Sequence, residues 1–150
     1  MKPSAIISDT SCLILLTKIG RLELLYDLFG ECLLTPTVAT EYGLPLPDWL
    51  KIRAPQQALL PKLKRLDAGE ASALSLALEL PGSLLILDDA PARFVASQLK
   101  LSFTGTVGLL LQAKHGGLIS HVRPLLSELR AVGMWLTDAV VETVCHQAGE

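Results

Sequence analysis

The sequence predicts an α/β fold in which helices cover both faces of a parallel sheet. Three observations lead there. Short apolar runs, among them Ala5-Ile6-Ile7-Ser8, Cys32-Leu33-Leu34 and Leu84-Leu85-Ile86-Leu87, alternate with longer segments of helical periodicity. Capping residues mark the junctions: Thr35-Pro36 follows the second run as an N-cap and first-turn proline. The chain has 150 residues, 50% of them hydrophobic and 19% charged, which is enough to bury a core without a disulfide or metal staple.

The elements follow in order. Ala5 to Ser8 is the first strand, and helical periodicity then runs from Ser11 through Leu28, interrupted near Gly20 and closed by Gly30. After the strand at Cys32 to Leu34, the helix opened by Thr35-Pro36 is ended by Gly43 and Pro45. The turn-rich stretch from Gly43 to Trp49 reads as a loop with a short helical turn, Lys51 to Ala54 as an edge strand, and Pro55 as the restart of helix. Ala68 to Leu80 is rich in Ala and Leu and predicts a strong helix, stopped by Pro81-Gly82-Ser83 before the strand at Leu84 to Leu87. A helix from about Pro91 to Leu99, a strand near Leu101 to Thr104 and a helix from Thr106 to His115 complete a further unit. Helices from about Pro124 to Val132 and from Thr137 to about Gln147 close the chain, with a short strand at Met134 to Leu136 between them. No repeat or domain boundary interrupts residues 1–150.

Composition narrows the function classes. Cys12, Cys32 and Cys145 are odd in number, widely spaced and flanked by apolar residues, as expected of reduced buried thiols in a cytoplasmic protein. The apolar runs fall far short of the roughly 20 residues of a membrane span, and the N-terminus lacks the pattern of a signal peptide, so a soluble protein with no membrane partner is expected. A net charge of −2 argues against a protein that simply coats nucleic acid. Charge is unevenly placed, however. Only Lys51, Arg53, Lys62, Lys64 and Arg65 lie between Asp48 and Asp67, and only Arg93, Lys100, Lys114 and Arg123 between Asp89 and Glu128. These segments are either solvated helix faces or phosphate-contacting surfaces.

Polar residues at the carboxyl ends of parallel strands are the natural place to look for chemistry. Asp9-Thr10-Ser11 follows the first strand and Asp88-Asp89 follows another. Each acid could be only a helix cap, but two in succession exceed what capping needs. Glu70 sits near the start of its helix on the face carrying Ala73, Leu74 and Ala77, and Glu41 lies in the helix after the second strand, where a solvated surface role is the plain alternative. Converging at one end of a sheet, Asp9, Glu41, Glu70 and Asp88 or Asp89 would form an oxygen-only ligand set suited to Mg²⁺ or Mn²⁺. Carboxylates gathered at low-dielectric walls require protons or a cation. With basic segments beside them, the arrangement suits metal-assisted phosphodiester hydrolysis.

The residues Ile7-Ser8-Asp9-Thr10-Ser11, Pro36 to Glu41, Gly69-Glu70-Ala71-Ser72-Ala73, Leu84 to Asp89 with Arg93, and Thr104-Gly105-Thr106-Val107-Gly108 with Lys114 to Leu118 resemble the PIN-domain ribonuclease family. The likeness spans nearly the whole chain and is nearest to the single-domain branch related to the toxins of toxin–antitoxin pairs. It implies a three-layer α/β/α fold with a mainly parallel sheet of about five strands, a Mg²⁺ or Mn²⁺ site and cleavage of RNA. By the resemblance, Asp9, Glu41 and Glu70 match the first three acids of the family and Asp89, preferred over Asp88, the fourth. Ser11 or Thr10 resembles the hydroxyl that supports the first acid, and Thr106 the polar residue opening the next helix. Relatives often add an aspartate there, which Thr104-Gly105-Thr106 lacks, so the number of ions stays open. Arg93, Lys114, Lys62 and Lys64 are the candidate nucleic-acid contacts. An antitoxin protein and a second copy of the chain are the expected partners, with Pro124 to Gln147 offering a dimer surface.

Other readings compete. The acidic cluster of a non-catalytic interaction module would bind a basic partner instead of an ion. A phospho-acceptor receiver places its acid pair after the first strand, unlike this chain, and no GxGxxG follows that strand to suggest a dinucleotide site. Trp49 and Trp135 read as packing residues in a chain that is only 5% aromatic, and His115 and His146 as charge partners of helix C-termini.

Overall fold

The computed structural model describes residues 2–150; Met1, part of the N-terminal stretch read above, lies outside it. Five strands, β1 (Ile6–Ser8), β2 (Cys32–Leu34), β3 (Leu50–Ile52), β4 (Leu84–Ile86) and β5 (Ser102–Thr104), form one sheet in the order β3-β2-β1-β4-β5, and every pairing is parallel. Among the described residues there are eight α-helices: α1 (Thr10–Lys18), α2 (Glu23–Phe29), α3 (Pro36–Tyr42), α4 (Ala68–Glu79), α5 (Ala90–Gln98), α6 (Thr106–His115), α7 (Arg123–Ala131) and α8 (Asp138–Gln147).

The three layers follow from the two-residue period of the strands. Ile6, Leu34 and Ile86 point to one face, where Leu13, Leu16 and Leu25 of α1 and α2 and Val38 of α3 cover them. Ile7, Leu33 and Leu85 point to the other, under Leu74 and Ala77 of α4 and Ala92 and Ala96 of α5. A third apolar cluster joins α6, α7 and α8 through Leu110, Leu125, Leu129, Val141 and Val144. The apolar stripes of α7 and α8, expected to offer a dimer surface, are therefore largely used inside the chain. No helix of the described residues is long and apolar enough to cross a membrane.

The chain runs from β1 outward to β2 and β3, then returns to lay β4 on the other side of β1. The strand order reverses between β1 and β4, and helices leave these two strands toward opposite faces. That divergence opens a crevice beyond their carboxyl ends.

Most predicted boundaries hold to within a residue or two, and the long segment after β1 breaks at Gly20, whose φ of 71° belongs to the left-handed region. Two expectations fail. Pro55 does not restart a helix: residues 55–60 are irregular and lead to a short 3₁₀ turn at Pro61–Arg65. The Glu79 carboxylate accepts from the backbone N–H groups of Gln56 and Gln57, at 2.9 Å each, in place of helical carbonyls. Met134 to Leu136 is not a strand either. The Met134 N–H donates to the Leu129 carbonyl at 2.9 Å, and the Leu136 carbonyl accepts from Arg130 Nε at 2.9 Å, so the end of α7 holds this segment and leaves nothing for a sheet.

Candidate functional site

Asp9 lies where β1 ends. It caps α1 from an extended backbone (φ −79°, ψ 176°), and its own N–H donates to the Ile86 carbonyl of β4 at 3.0 Å, which ties it to the crevice. Both carboxylate oxygens accept backbone N–H groups, Oδ1 from Cys12 at 2.9 Å and Oδ2 from Asp88 at 3.2 Å. Only 2% of the residue is exposed. Burial, and then the charge of Asp88, push its pKa up to about 7 against the pull of the two N–H bonds.

Asp88 follows β4 and is equally well held. Its Oδ1 accepts the Thr106 N–H at 2.8 Å, and its Oδ2 accepts the Thr106 hydroxyl at 2.7 Å and the Ser11 hydroxyl at 3.3 Å. Thr106 is fully buried at the start of α6, so this contact joins the ends of β4 and β5. Gly105 makes room for it: a Cβ there would stand 2.9 Å from Asp88 Oδ1 and 3.0 Å from an Arg93 Nη.

The remaining acids enter from α4 and α5. Asp67 caps α4 by accepting the Glu70 N–H at 3.0 Å. Glu70, in the first turn, is pushed up to about 8 by desolvation, by a side-chain hydrogen bond with Asp67, and by the charges of Asp67, Asp89 and Asp9. Asp89 caps α5 through Ala92 N–H at 3.2 Å. Together Asp67, Glu70, Asp88 and Asp89 line a pocket of about 640 Å³, with Ser11 on one wall and Met134 and Trp135 on another.

Several assignments change with this geometry. Asp88, rather than the preferred Asp89, touches Asp9 and closes the network around it. Neither hydroxyl expected to support Asp9 bonds to it; its two oxygens each accept one backbone N–H. Ser11 turns to Asp88 instead, and Thr10 donates to Glu41 Oε1 at 2.6 Å. Glu41 stays exposed at the rim, outside the pocket lining, with its carboxylate against the Cα of Gly69, where a Cβ would overlap it. Asp67 was missed, although Asp67-Ala68-Gly69-Glu70 carries the spacing of a capped helix start.

The basic residues divide. Arg93 stands beside Asp88 and Gly105 with its guanidinium 5.1 Å from the centre of the Phe103 ring, and its Nε is buried with no hydrogen-bond partner. Lys62 and Arg65 line a neighbouring groove, and Lys64 is exposed on the same 3₁₀ turn. Lys114 does not reach this face. It lies about 12 Å down α6 from Thr106, at ~1.5 Å per residue, with its Nζ bound to the Ser120 carbonyl and to Glu150. His115, His121 and His146 are exposed away from the pocket lining. Trp135 is not a packing residue, being 88% exposed.

The donor set is carboxylate and hydroxyl oxygen throughout, and none of these acids forms an ion pair with Lys or Arg among the described residues. The raised pKa values of Asp9 and Glu70 come first from burial and then from neighbouring carboxylate charge. Hard oxygen ligands with uncompensated negative charge fit Mg²⁺ or Mn²⁺ and not a thiolate- or imidazole-seeking metal. Among the described residues no three His, Cys, Asp or Glu side chains gather around one point, so the fit is one of donor chemistry.

Residues 5–150 match a family model described as a PIN domain. No curated protein and no solved structure matches the chain.

Proposed function

The chain belongs to the PIN-domain family, a nuclease fold, and from that premise we propose that it is a Mg²⁺- or Mn²⁺-dependent endoribonuclease. One observation carries the reading: a buried aspartate, Asp9, is held against a second, Asp88, at the reversal of the strand order, and neither forms an ion pair among the described residues.

Asp9 and Asp88 would hold the metal from the ends of β1 and β4, with Glu70 and Asp89 facing it from α4 and α5. When bound, the ion supplies Lewis-acid stabilisation of the phosphate and a more acidic water. The protein's own groups do the positioning. Backbone N–H groups fix both oxygens of Asp9, and Thr106 fixes both oxygens of Asp88, so neither carboxylate pays to reorganise as charge develops. Glu70, in the first turn of α4 and lining the pocket, is the group placed to take or give a proton there. Hydrolysis requires water to add at phosphorus and the bond to the leaving oxygen to break, with a proton delivered to that oxygen.

The reading extends to a cytoplasmic toxin whose antitoxin covers this pocket, and to a homodimer. Calorimetric titration with Mn²⁺ of wild type, Asp9→Asn and Asp88→Asn tests the core of it. Binding by the wild type that both variants lose, together with Mn²⁺-dependent cutting of RNA by the wild type alone, is the expected result. A wild type that takes no ion at millimolar concentration and cuts nothing overturns it in favour of an interaction module.

A further inference from the structure

A second site lies away from the acids, at the amino ends of β2 and β3. Tyr26 of α2 and Trp49, which precedes β3, stand with ring centroids 5.8 Å apart and planes tilted by 46°. They share a pocket of about 420 Å³ with Gly30, Glu31, Asp48 and Lys51. Because every strand is parallel and the acidic pocket lies beyond the carboxyl ends, the two pockets occupy opposite ends of the sheet. Tyr26 is 52% exposed, and Trp49 is half-buried against the core under α2. Neither Glu31 nor Asp48 forms an ion pair among the described residues, and Lys51 beside them forms none. The cation held over a ring among those residues is Arg93 on Phe103, so Lys51 leaves both rings uncovered.

Three features favour the same ligand charge. The ring faces carry the negative side of their quadrupoles, and two carboxylates stand unpaired beside them. α2 ends at Gly30 with no basic residue in its last turn, which leaves the negative end of its dipole unmatched. Lys51 opposes these, but Glu31 and Asp48 outweigh it by one charge. The chemistry narrows the cation further. A hydrated metal ion would use the carboxylates and gain little from the rings. A guanidinium uses both, because it is planar and weakly hydrated, stacks on an aromatic face and donates from its edge to carboxylates. The form of the site selects its carrier. Tyr26, Glu31, Asp48 and Lys51 are all exposed, so the pocket cannot enclose a free small molecule as ligand cavities do. β3 runs on from Trp49 with a neighbour on one side only and with Ile52 exposed, so an extended segment can lie along its open edge.

We propose that the pocket of Tyr26 and Trp49 docks an arginine side chain carried by an extended segment of a protein partner, its guanidinium on the rings and its N–H groups donating to Glu31 and Asp48. The inference goes beyond the ribonuclease reading and does not depend on it, since the two pockets share no residue.

Trp135→Phe leaves Trp49 as the only tryptophan of the chain, so in that background its emission reports on the pocket. The probes are an end-capped alanine peptide with a central arginine and the same peptide with citrulline, which is neutral and nearly the same shape. The arginine peptide should saturate the emission change at millimolar concentration, and the citrulline peptide should not. Tyr26→Leu, which keeps apolar bulk and loses the ring, should weaken binding about two- to fivefold, and Tyr26→Phe should bind like the parent. The double variant Glu31→Gln/Asp48→Asn should weaken it about fivefold, the scale of two exposed ion pairs. Lys51→Gln should tighten it about twofold by removing a like charge, the opposite of its effect on an anion. An arginine peptide that leaves the emission unchanged, or a citrulline peptide that binds as well, overturns the proposal. So does Tyr26→Leu binding as tightly as the parent, Tyr26→Phe losing as much as Tyr26→Leu, or Lys51→Gln weakening the complex. An emission that shifts with protein concentration alone, alongside self-association in sedimentation, also overturns it, since a second copy of the chain would then be the occupant.

Discussion

Substituting Asp9 by Asn should reverse its effect on stability between acid and alkaline pH. The folded protein binds the Asp9 proton more tightly, with a pKa of about 7 against the ordinary 3.8, so it holds more protons than the unfolded chain between those values. Stability therefore falls as pH rises from about 4 through 7 and stays low above. A shift of about 3 units at ~1.4 kcal/mol each sets an upper bound of about 4 kcal/mol, part of which belongs to the coupling with Asp88. Asn carries no charge, but its amide N–H must face the Asp88 N–H now bound to Oδ2, which costs roughly 1–2 kcal/mol at every pH. The variant should accordingly be less stable than wild type by that amount only below about pH 4, close to wild type near pH 5, and more stable by about 1–3 kcal/mol at pH 8. For a chain of this size the pH 8 difference corresponds to roughly 3–10 °C in Tm. Urea titrations in chelator from pH 4.5 to 8.5 measure it. A difference between wild type and variant that stays constant across pH would refute the argument.

Divalent cation should reverse the wild type's loss: Mn²⁺ at 100 times its dissociation constant raises stability by about 2.7 kcal/mol, visible as a higher Tm at pH 8 that Asp9→Asn lacks. Gly105→Ala should lower both stability and RNA cutting, because its Cβ meets Asp88 Oδ1 and the Arg93 guanidinium at about 3 Å; thermal melts alongside initial rates check it. Thr106→Val removes the hydroxyl from Asp88 and retains the N–H, so about 1–2 kcal/mol of stability and part of the cation affinity should go, read by denaturation and calorimetry. Lys114→Ala should leave RNA affinity unchanged in anisotropy, because its amine is engaged with Glu150 at the far end of α6.

Much of the fold was legible because its signals are local. The N-caps Asp9, Thr35, Asp67, Asp89 and Thr137 each accept a backbone N–H three residues on, a contact set by neighbours in sequence. What misled was also local: a proline at 55 reads as a helix start, but Glu79, far along the chain, takes the N–H groups that follow it.

The acids that gather at the site were visible as residue types placed after strands, with Asp67 overlooked as one cap among several. Which acid faces which was not visible. Asp88 and Asp89 are neighbours in sequence and differ only in what the fold brings to them, Thr106 and Asp9 to one and the α5 backbone to the other. Trp135 illustrates the same division, since hydrophobicity alone predicts burial and only the course of the chain between α7 and α8 decides that its ring faces water beside the acids. The sequence by itself determined the alternation of strands and helices, the caps and the supply of carboxylates, all functions of near neighbours. The tertiary structure alone decided the strand reversal at β1 and β4, and with it which charges share a low-dielectric pocket, because that energy depends on distances between residues far apart in the chain.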